Sequence, residues 1–485
     1  MNTVPVDFAA IAPEMTLVGA AGILLCGLVF LPRQKVTRPA AVLATLAYIG
    51  AGIAAGALYT NGASYAFDHT LRMDSFGEVI RIIVFAAGFL TMATSWGLGD
   101  VYERALEYYT LVLVAGAGMS LLAVANSFVI LFVALELFSI ALYILVAIAA
   151  EHRSSLEGGL KYLIVGSVGA ALILYGAALV YGSTGQLEFD RIRQAAAAGD
   201  AHAPLLLTGI ALVLAGLGFK ANAAPFHMWT PDAYEGAPTP ITGFMSGATK
   251  AVALATILRV LVSAFPGQTG VWQSALGALA IASFAIGNLA ALRQSNVKRM
   301  LAYSTVGHTG FLLTAVAADN DQGARALLYY LTVYAAMNLG AFAVVAVRER
   351  EIGRAVDIAD FSGWGYRRPA LAGAMFIFLL SLAGFPPTGG FLGKLYIFSA
   401  AIKGGQTYLA VAGVIATMAA LIYYLRIPLA MYGRDLAVPE ARTGAGWRLA
   451  SLATAASAIV VLGAGIFPAP LITFATHAGN SLPFG

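Results

Sequence analysis

Residues 216–229 read GLGFKANAAPFHMW and place a lysine, an asparagine, a proline and a histidine inside an otherwise apolar segment. A lysine at the centre of a membrane helix costs about 2.5–3.5 kcal/mol on insertion scales, so it is retained only with partners or with a function. Proline removes a helical N–H group and disrupts the turn before it. The backbone groups freed at such a break must be satisfied by protein or water. The stretch therefore predicts a broken membrane helix in which Lys220 lies beside a hydrated pocket.

The composition of the chain indicates a membrane protein with many spans. Of its 485 residues, 60% are hydrophobic and 11% are charged, and the mean hydropathy is +0.81, whereas soluble chains carry about 25% charged residues. The single cysteine, Cys26, excludes an intrachain disulfide and a cysteine-ligated iron–sulfur cluster. The sequence has no HExxH motif and no glycine-rich phosphate loop. We therefore expect no redox centre, cofactor, nucleotide site or metal site on this chain.

Apolar runs long enough to cross a bilayer recur along the whole chain. A transmembrane helix needs about 20 mostly apolar residues. The sequence therefore predicts an all-α polytopic membrane protein of about fourteen transmembrane helices, and a small β-hairpin in the alternating segment SYAFDHTLRMDSF at 64–76. The fourteen runs are 11–31, 39–60, 76–96, 106–125, 127–149, 158–182, 204–230, 239–263, 271–292, 299–318, 324–347, 370–401, 406–432 and 447–474.

The basic residues outside these runs predict the orientation. With fourteen spans both termini lie on one side, and that side has five basic residues whereas the opposite side has sixteen. Cytoplasmic loops carry the excess of lysine and arginine, so both termini are expected outside the cytoplasm. The sixteen are Arg33, Lys35, Arg38, Arg104, Arg153, Arg293, Lys298, Arg299, Arg348, Arg350, Arg354, Arg367, Arg368, Arg434, Arg442 and Arg448.

A second broken span indicates an internal repeat. The twelfth run contains SLAGFPPTGGFLGKLYIF at 381–398, in which prolines and glycines precede Lys394. Lys220 and Lys394 are 174 positions apart, and the polar residues Glu136 and His308 are 172 apart. Paired interrupted spans in two halves of a transporter point to its functional site. Since each unit would hold five helices, an odd number, we expect two inverted five-helix repeats.

These features divide the chain into four predicted parts. The division is three N-terminal helices at 1–105, a first repeat of helices 4–8 at 106–265, a second repeat of helices 9–13 at 266–435, and a C-terminal helix at 436–485.

Four stretches carry a resemblance to a known family. They are LGFKANAAPFHMWTPDAYEGAPTPITGFMSGATKA (217–251), SLEGGLKYLIVGSVGAALILYG (155–176), NVKRMLAYSTVGHTGF (296–311) and SLAGFPPTGGFLGK (381–394). They resemble the subunit N family of bacterial NADH–quinone oxidoreductase (respiratory complex I), homologues of mitochondrial NADH dehydrogenase subunit 2. The resemblance covers essentially the whole chain and implies an antiporter-like fold. The lysine at 394 also looks like subunit N, because subunit M usually has glutamate there.

The resemblance implies that this chain translocates protons as part of an enzyme whose electron transfer occurs elsewhere. FMN, iron–sulfur clusters and the quinone site would belong to partner subunits, both membrane and peripheral. Lipid would surround the chain, no nucleic acid is expected, and the location implied is the bacterial inner membrane with periplasmic termini. The residues that match the family's proton relay are Glu136, Lys220, Lys250, His308 and Lys394, with Glu157, Lys161, His227 and Tyr303 at further matching polar positions.

Each of these residues also has a purely structural interpretation. Glu136 is expected to pair with Lys220, but a carboxylate can also act as polar glue between helices. The lysines can bind carbonyls freed at a break or extend toward an interface. Glu157 and Lys161 are i,i+4 partners suited to a simple salt bridge. In the structural interpretation, His308 and Tyr303 are core side chains whose polar atoms form hydrogen bonds within the protein, and His227 has only an indirect role. Asp232 and Glu235, in PDAYEGAPTP, are expected to tie down a tight loop.

Two other functions use the same sequence features. A subunit of an Mrp-type cation/proton antiporter, or of a related membrane-bound hydrogenase, would employ the same lysines. A scaffold that only spaces other subunits would need no buried charge, which argues against that interpretation.

Overall fold

The computed structural model describes residues 7–30, 37–59, 62–96, 104–199, 201–433 and 446–484. Four of the basic residues used to predict the orientation, Arg33, Lys35, Arg434 and Arg442, lie outside the described residues. The described helices are α1 Ala12–Phe30, α2 Thr37–Leu58, α3 Ser75–Ser95, α4 Ala105–Ala123, α5 Phe128–Val146, α6 Arg153–Thr184, α7 Phe189–Ala197, α8 Ala203–Lys220, α9 Thr230–Gly236, α10 Thr239–Phe244, α11 Lys250–Ala264, α12 Thr269–Leu292, α13 Val297–Ala317, α14 Asp321–Ile352, α15 Trp364–Arg367, α16 Pro369–Ala383, α17 Gly389–Lys403, α18 Thr407–Met431, α19 Gly446–Ile466 and α20 Ala469–Gly479.

Every predicted span is helical in the structure. Twelve described helical segments are long and apolar enough to cross a membrane. The first and twelfth predicted spans correspond to shorter apolar helices, Ala12–Gly27 and Pro369–Ala383. Polar side chains begin several helices, as where Asp74 accepts a hydrogen bond of 2.8 Å from the Gly77 N–H at the start of α3.

The two spans predicted to be broken are broken. The seventh span ends its first helix at Lys220 and resumes as the short helix α9. The twelfth span consists of α16 and α17, separated by residues 384–388. The eighth span has a feature that the sequence did not predict, because a π-helical turn at Met245–Thr249 joins α10 to α11. All three irregular segments lie next to a lysine singled out from the sequence.

The predicted hairpin is confirmed. Strands β1 (Ser64–Ala66) and β2 (Leu71–Met73) pair antiparallel, with Ser64 opposite Met73. The segment 185–199 packs beside it, since the Phe189 N–H donates to the Asn126 carbonyl and the Asn126 N–H donates to the Thr70 carbonyl, each at 2.9 Å. We call the side of the bundle that carries these segments the hairpin side.

The centre of the bundle is formed by four helices. The segments that contain α10, α11, α13 and α14 have almost all of their residues buried, whereas fewer than half of the residues are buried in the spans of α2, α6, α18 and α19. A helix with one exposed apolar face suits a position against lipid. Ionisable residues on the central helices are therefore held in the interior of the protein.

Close backbone contact joins α6 to α8. A Cβ atom on Gly176 would lie 2.8 Å from the Gly209 carbonyl oxygen, and one on Gly216 would lie 2.5 Å from the Gly169 carbonyl oxygen. Small residues permit this approach of two membrane helices. The contact fixes α8, and hence Lys220 at its end, against the rest of the first half.

Candidate functional site

The break after Lys220 is satisfied by side chains from other helices. Asn222 adopts a left-handed conformation with φ of 61°, which ends the helical path. The Thr309 hydroxyl donates to the freed Ala221 carbonyl at 2.7 Å, and the Ala224 N–H donates to the Ser283 hydroxyl at 2.9 Å. The break is thus tied to α12 and α13, which belong to the second half of the chain.

Lys220 lies inside a cage of aromatic rings. Its side chain is buried, and its ammonium lies 4.8 Å from the ring centroid of Phe138, 5.5 Å from Tyr143 and 5.4 Å from Tyr162. Ring faces attract a cation when both are removed from water. The hydroxyls of Tyr143 and Tyr162 are buried and have no hydrogen-bond partner in the structure. The cage stabilises a charged lysine without holding it in a fixed hydrogen bond.

Glu136 lies on α5 near this cage, and its predicted pair with Lys220 is open. Both side chains are within the described residues, yet they form no ion pair at the 4.0 Å limit for such contacts. The Glu136 Oε1 atom is buried without a hydrogen-bond partner. The neighbouring side chains Val133 and Leu137 are exposed, so Glu136 lies at the edge of an outward-facing surface of α5.

Lys250 connects the first break to the centre of the bundle. Its ammonium donates to the Thr305 carbonyl and, at 2.7 Å, to the Thr309 hydroxyl. That hydroxyl donates in turn to the Ala221 carbonyl, next to Lys220. Lys250 follows directly after the π-helical turn of the eighth span. Thr309 thus bonds both to Lys250 and to the backbone carbonyl next to Lys220.

His308 is held by two tyrosines from different helices. Its Nε2 atom lies 2.9 Å from the Tyr424 hydroxyl and its Nδ1 atom lies 2.8 Å from the Tyr330 hydroxyl. The Tyr424 hydroxyl also bonds to the Ser304 hydroxyl. Since each ring nitrogen has a hydroxyl partner, the imidazole is positioned to receive a proton on one side and to release one on the other.

Lys394 lies at the second break and is held by freed carbonyls. Its ammonium donates to the Leu382 carbonyl at 2.9 Å and to the Ala383 carbonyl at 3.2 Å, and it lies 4.5 Å from the centroid of Phe311. These carbonyls are left without helical partners because α16 ends there, with Gly384 at φ of 84°. The break thus provides the ligands of the lysine that follows it.

Together these residues form a series, which we call the lysine axis, and all of its members after Glu136 are buried. A Cβ atom on Gly393 would lie 2.3 Å from the Tyr330 ring, so the tyrosine that bonds His308 packs against the residue before Lys394. The axis therefore lies between the two broken spans in the core of the protein. Its members in order are Glu136, Lys220, Thr309, Lys250, His308, Tyr330 and Lys394.

The polar positions Glu157 and Lys161 lie apart from the lysine axis. Lys161 forms ion pairs of 2.7 Å with both Glu157 and Asp232, and Arg299 binds Asp232 at 2.6 Å and Glu235 at 2.8 Å. Burial favours the neutral Asp232 carboxyl, but its hydrogen bonds with Lys161 and Arg299 outweigh that effect and lower its pKa. The cluster attaches α9 to α6 and α13, which agrees with the predicted tying role of Asp232 and Glu235.

His227 and Tyr303 lie between this cluster and the break. Their ring centroids are 6.3 Å apart, and the His227 Nδ1 atom is buried without a hydrogen-bond partner. The structure therefore places them near each other but joins neither to the lysine axis by a hydrogen bond.

Sequence reasoning missed three members or neighbours of the axis. Thr309, Tyr330 and Tyr424 complete the hydrogen bonds of Lys250 and His308. Threonine and tyrosine are common in membrane helices and carry no mid-span charge, so their sequence positions gave no signal. Of them, Thr309 alone lies directly after a residue that the sequence singled out.

Comparisons with known proteins identify the family of the chain. Residues 125–420 match the family of transmembrane segments described as NADH:quinone oxidoreductase/Mrp antiporter. NADH-quinone oxidoreductase subunit N 2 of Roseiflexus castenholzii is 41% identical, covering 96% of this chain and 95% of its own length. The subunit N of Parvibaculum lavamentivorans is 37% identical over 99% of both chains.

Solved structures show the same fold. A chain of respiratory complex I from Thermus thermophilus is 33% identical and superposes with a TM-score of 0.81 over 96% of this chain and 99% of that chain. A chain of the Mrp complex from Dietzia superposes with a TM-score of 0.85, over 97% of this chain and 98% of that chain, at 22% identity, which shows a shared fold alone.

The two broken spans and the buried lysine axis between them define an antiporter-like membrane subunit. The sequence relatives assign the chain to one family within this class. The chain belongs to the family of NADH-quinone oxidoreductase subunit N, a proton-translocating membrane subunit of respiratory complex I, as its motifs predicted.

Proposed function

We propose that protons move through this chain along the lysine axis, from Glu136 at one end to Lys394 at the other. The observation that carries the proposal is the series of ionisable and hydroxyl groups that lies between the two broken spans, in which Thr309 bonds Lys250 and the Ala221 carbonyl and two tyrosines bond His308. Each lysine on the axis is buried, and within the described residues none of the three has a carboxylate within 4.0 Å. Such uncompensated charge in a membrane core marks an ion pathway.

In the proposal, the proton affinity of Lys220 is controlled by its distance from Glu136. When Glu136 approaches Lys220, it stabilises the charged lysine; when it withdraws, the ammonium keeps only the faces of its aromatic cage. The proton of Lys220 is then more easily passed on through Thr309 and water toward Lys250. His308 and its two tyrosines carry it on to Lys394, where it is released or held.

The surface beside Glu136 is where coupling to the rest of the enzyme enters. A carboxylate at the edge of an exposed apolar face cannot remain ionised against lipid at low cost. In the proposal, another membrane subunit covers this face of α5 and α6 and moves Glu136 toward or away from Lys220. Partner subunits carry FMN, the iron–sulfur clusters and the quinone site. The chain lies in the bacterial inner membrane with its termini and the hairpin side facing the periplasm, as the distribution of basic residues supports.

A test uses Lys220→Ala with Lys403→Ala as the matched control, because Lys403 is exposed in the last turn of α17. Each variant complex is purified, reconstituted into vesicles, and assayed for NADH-driven quinone reduction and acidification of the lumen. We expect Lys220→Ala to lower both rates together by about tenfold or more while the complex stays assembled. Normal pumping in that variant would rule out the proposed axis.

A separate experiment tests the assembly. A tagged copy of the chain, extracted in mild detergent, is run on a native gel stained for NADH dehydrogenase activity. Migration with a large active band containing flavin and iron supports the complex. A smaller band without that activity, with loss during extraction excluded, would instead favour an Mrp-type antiporter driven by a sodium or proton gradient.

A further inference from the structure

A second group of buried charges lies away from the lysine axis, toward the hairpin side, where α1, α3, α4 and α11 meet. At its centre is Arg81, whose side chain is completely buried. Its Nη1 atom lies 2.8 Å from Glu78 Oε1, and its Nη2 atom lies 2.8 Å from Glu14 Oε1. One guanidinium thus binds two carboxylates in the interior.

Within the described residues, Arg81 is the one cation that pairs with the two carboxylates of this trio. Asp74 holds Arg259 through both of its oxygens, at 2.7 and 3.0 Å, and it lies 2.9 Å from Arg72 Nε. Arg72 also lies 3.9 Å from Asp190. These two arginines are matched by two aspartates. If Glu14 and Glu78 were both ionised, the trio with Arg81 would carry a net negative charge in a buried place, at high cost.

The hydrogen bonds distinguish the two carboxylates. Glu14 Oε2 and Glu78 Oε2 are both buried without a partner, so the difference between the two groups lies in what their Oε1 atoms accept. Glu14 Oε1 accepts from Arg81 and also from the Ser120 hydroxyl, at 2.5 Å. Glu78 accepts from Arg81 alone. Glu14 is therefore the better placed of the two to be the anion.

We infer that Glu14 and Glu78 hold one bound proton between them, carried by Glu78, and that this neutral trio with Arg81 joins α1 to α3 and α4. The site takes a proton as its ligand and lies outside the lysine axis. The charged and titratable groups around it are Asp74 and Arg81 on α3, Glu14 on α1, Arg259 on α11 and Arg72 on β2, whereas His477 on the neighbouring helix α20 bonds to Tyr59.

A consequence for pH follows from this assignment. The folded chain keeps a proton that an unfolded glutamate releases at neutral pH, so the folded state binds more protons than the unfolded state. Stability therefore falls as the pH rises. Loss of the proton leaves two carboxylates on one guanidinium and weakens the attachment of α1.

The experiment compares charge-neutralising variants of the full chain in the complex, with the recovered amount of complex and its melting temperature against pH as readouts. Glu78→Gln replaces a neutral acid by a neutral amide, so we expect recovery within about twofold of the parent and a flatter fall of melting temperature at alkaline pH. Glu14→Gln is expected to be intermediate. The double variant leaves Arg81 unpaired, and we expect about a tenfold loss of folded complex.

Asp74→Asn is the matched control, because the Asp74 carboxylate at the start of the same helix binds Arg259 with both oxygens, and its loss leaves Arg259 without a carboxylate partner among the described residues. We expect it to be as damaging as the double variant. If Glu78→Gln were as damaging as Asp74→Asn, Glu78 would be shown to be ionised, and the inference would be overturned. A harmless double variant, or an unchanged pH slope in Glu78→Gln, would overturn it as well. None of these readouts depends on the proposed route for protons.

Discussion

The lysines of the axis are bound by groups that can accept a hydrogen bond from the protonated and from the neutral form of the side chain. Lys394 donates to two carbonyls, and Lys250 donates to a carbonyl and a hydroxyl. A carbonyl accepts from an ammonium and also, more weakly, from a neutral amine, so either form of the lysine keeps a partner. A carboxylate held at the same place would be left as an uncompensated buried charge when the lysine lost its proton. Among the described residues, Lys220 is the one lysine of the axis with a carboxylate nearby, and there the pair is open.

Thr309 provides a test at the scale of one residue. Thr309→Val keeps the shape of the side chain but removes the hydroxyl that accepts from Lys250 and donates to the Ala221 carbonyl. A buried donor left without its partner costs about 1–3 kcal/mol, so we expect coupled quinone reduction and pumping to fall by about fivefold or more.

Thr314→Val is the control for this substitution. Thr314 is equally buried on the same helix, but its hydroxyl only donates to the Gly310 carbonyl within α13. Its variant is expected to keep the parent rates in the same vesicle assay. Equal losses in both variants would mean that Thr309 acts through packing and not through the lysine axis.

The sequence predicted the charged members of the site and not their partners. Glu136, Lys220 and Lys394 stood out because an ionisable side chain in the middle of an apolar run is costly wherever the helix points. Tyr330 and Tyr424 did not, since a tyrosine in such a run is ordinary packing unless its hydroxyl meets another helix. That meeting depends on how α14 and α18 approach α13, which no local pattern encodes.

At the scale of elements, the sequence predicted which spans are broken, but it predicted the residue at which each break begins less well. Proline and glycine indicated that spans seven and twelve are interrupted, and they are. The first helix ends at Lys220, five residues before Pro225, because Asn222 takes the left-handed conformation. The π-helical turn before Lys250 had no signal, since MSGAT at 245–249 fits a regular helix equally well.

The contact of α6 with α8 gives a test at this scale. Gly176→Val places a side chain where even a Cβ atom would lie 2.8 Å from the Gly209 carbonyl oxygen. Backbone on both sides must move, so we expect a loss of about 2 kcal/mol or more in stability and a several-fold lower recovery of the complex. Recovery from membranes and melting temperature are the measurements.

Gly182→Val on the same helix is the comparison for Gly176→Val. A Cβ atom on Gly182 has no other atom within 4 Å, and the position is exposed. We expect normal recovery for this variant. If both variants lost stability equally, the effect would belong to glycine in α6 generally and not to the α8 contact.

At the scale of the whole molecule, the two halves meet along one line of charge. Lys220 is the last residue before the first break, whereas Lys394 follows the second break. An inverted repeat keeps the order of residues along the chain, so this difference comes from where each break lies relative to its lysine, and the prolines of the two spans therefore do not align at the offset of the lysines. The division into repeats at 106–265 and 266–435 stays a prediction.

A series pathway makes a distinct prediction for the double variant Lys220→Ala/Lys394→Ala. If protons must pass both lysines in turn, removing either one blocks the same route, and removing both adds little. We therefore expect the double variant to pump at about the rate of the slower single variant, whereas with two independent routes the double variant would lose the share of both. The measurement is the rate of lumen acidification in vesicles that contain equal amounts of assembled complex. Lys220→Ala/Lys403→Ala serves as the control, and it should match Lys220→Ala alone, because Lys403 is exposed at the end of α17. A double variant several-fold slower than both single variants would show that each half of the chain carries its own path.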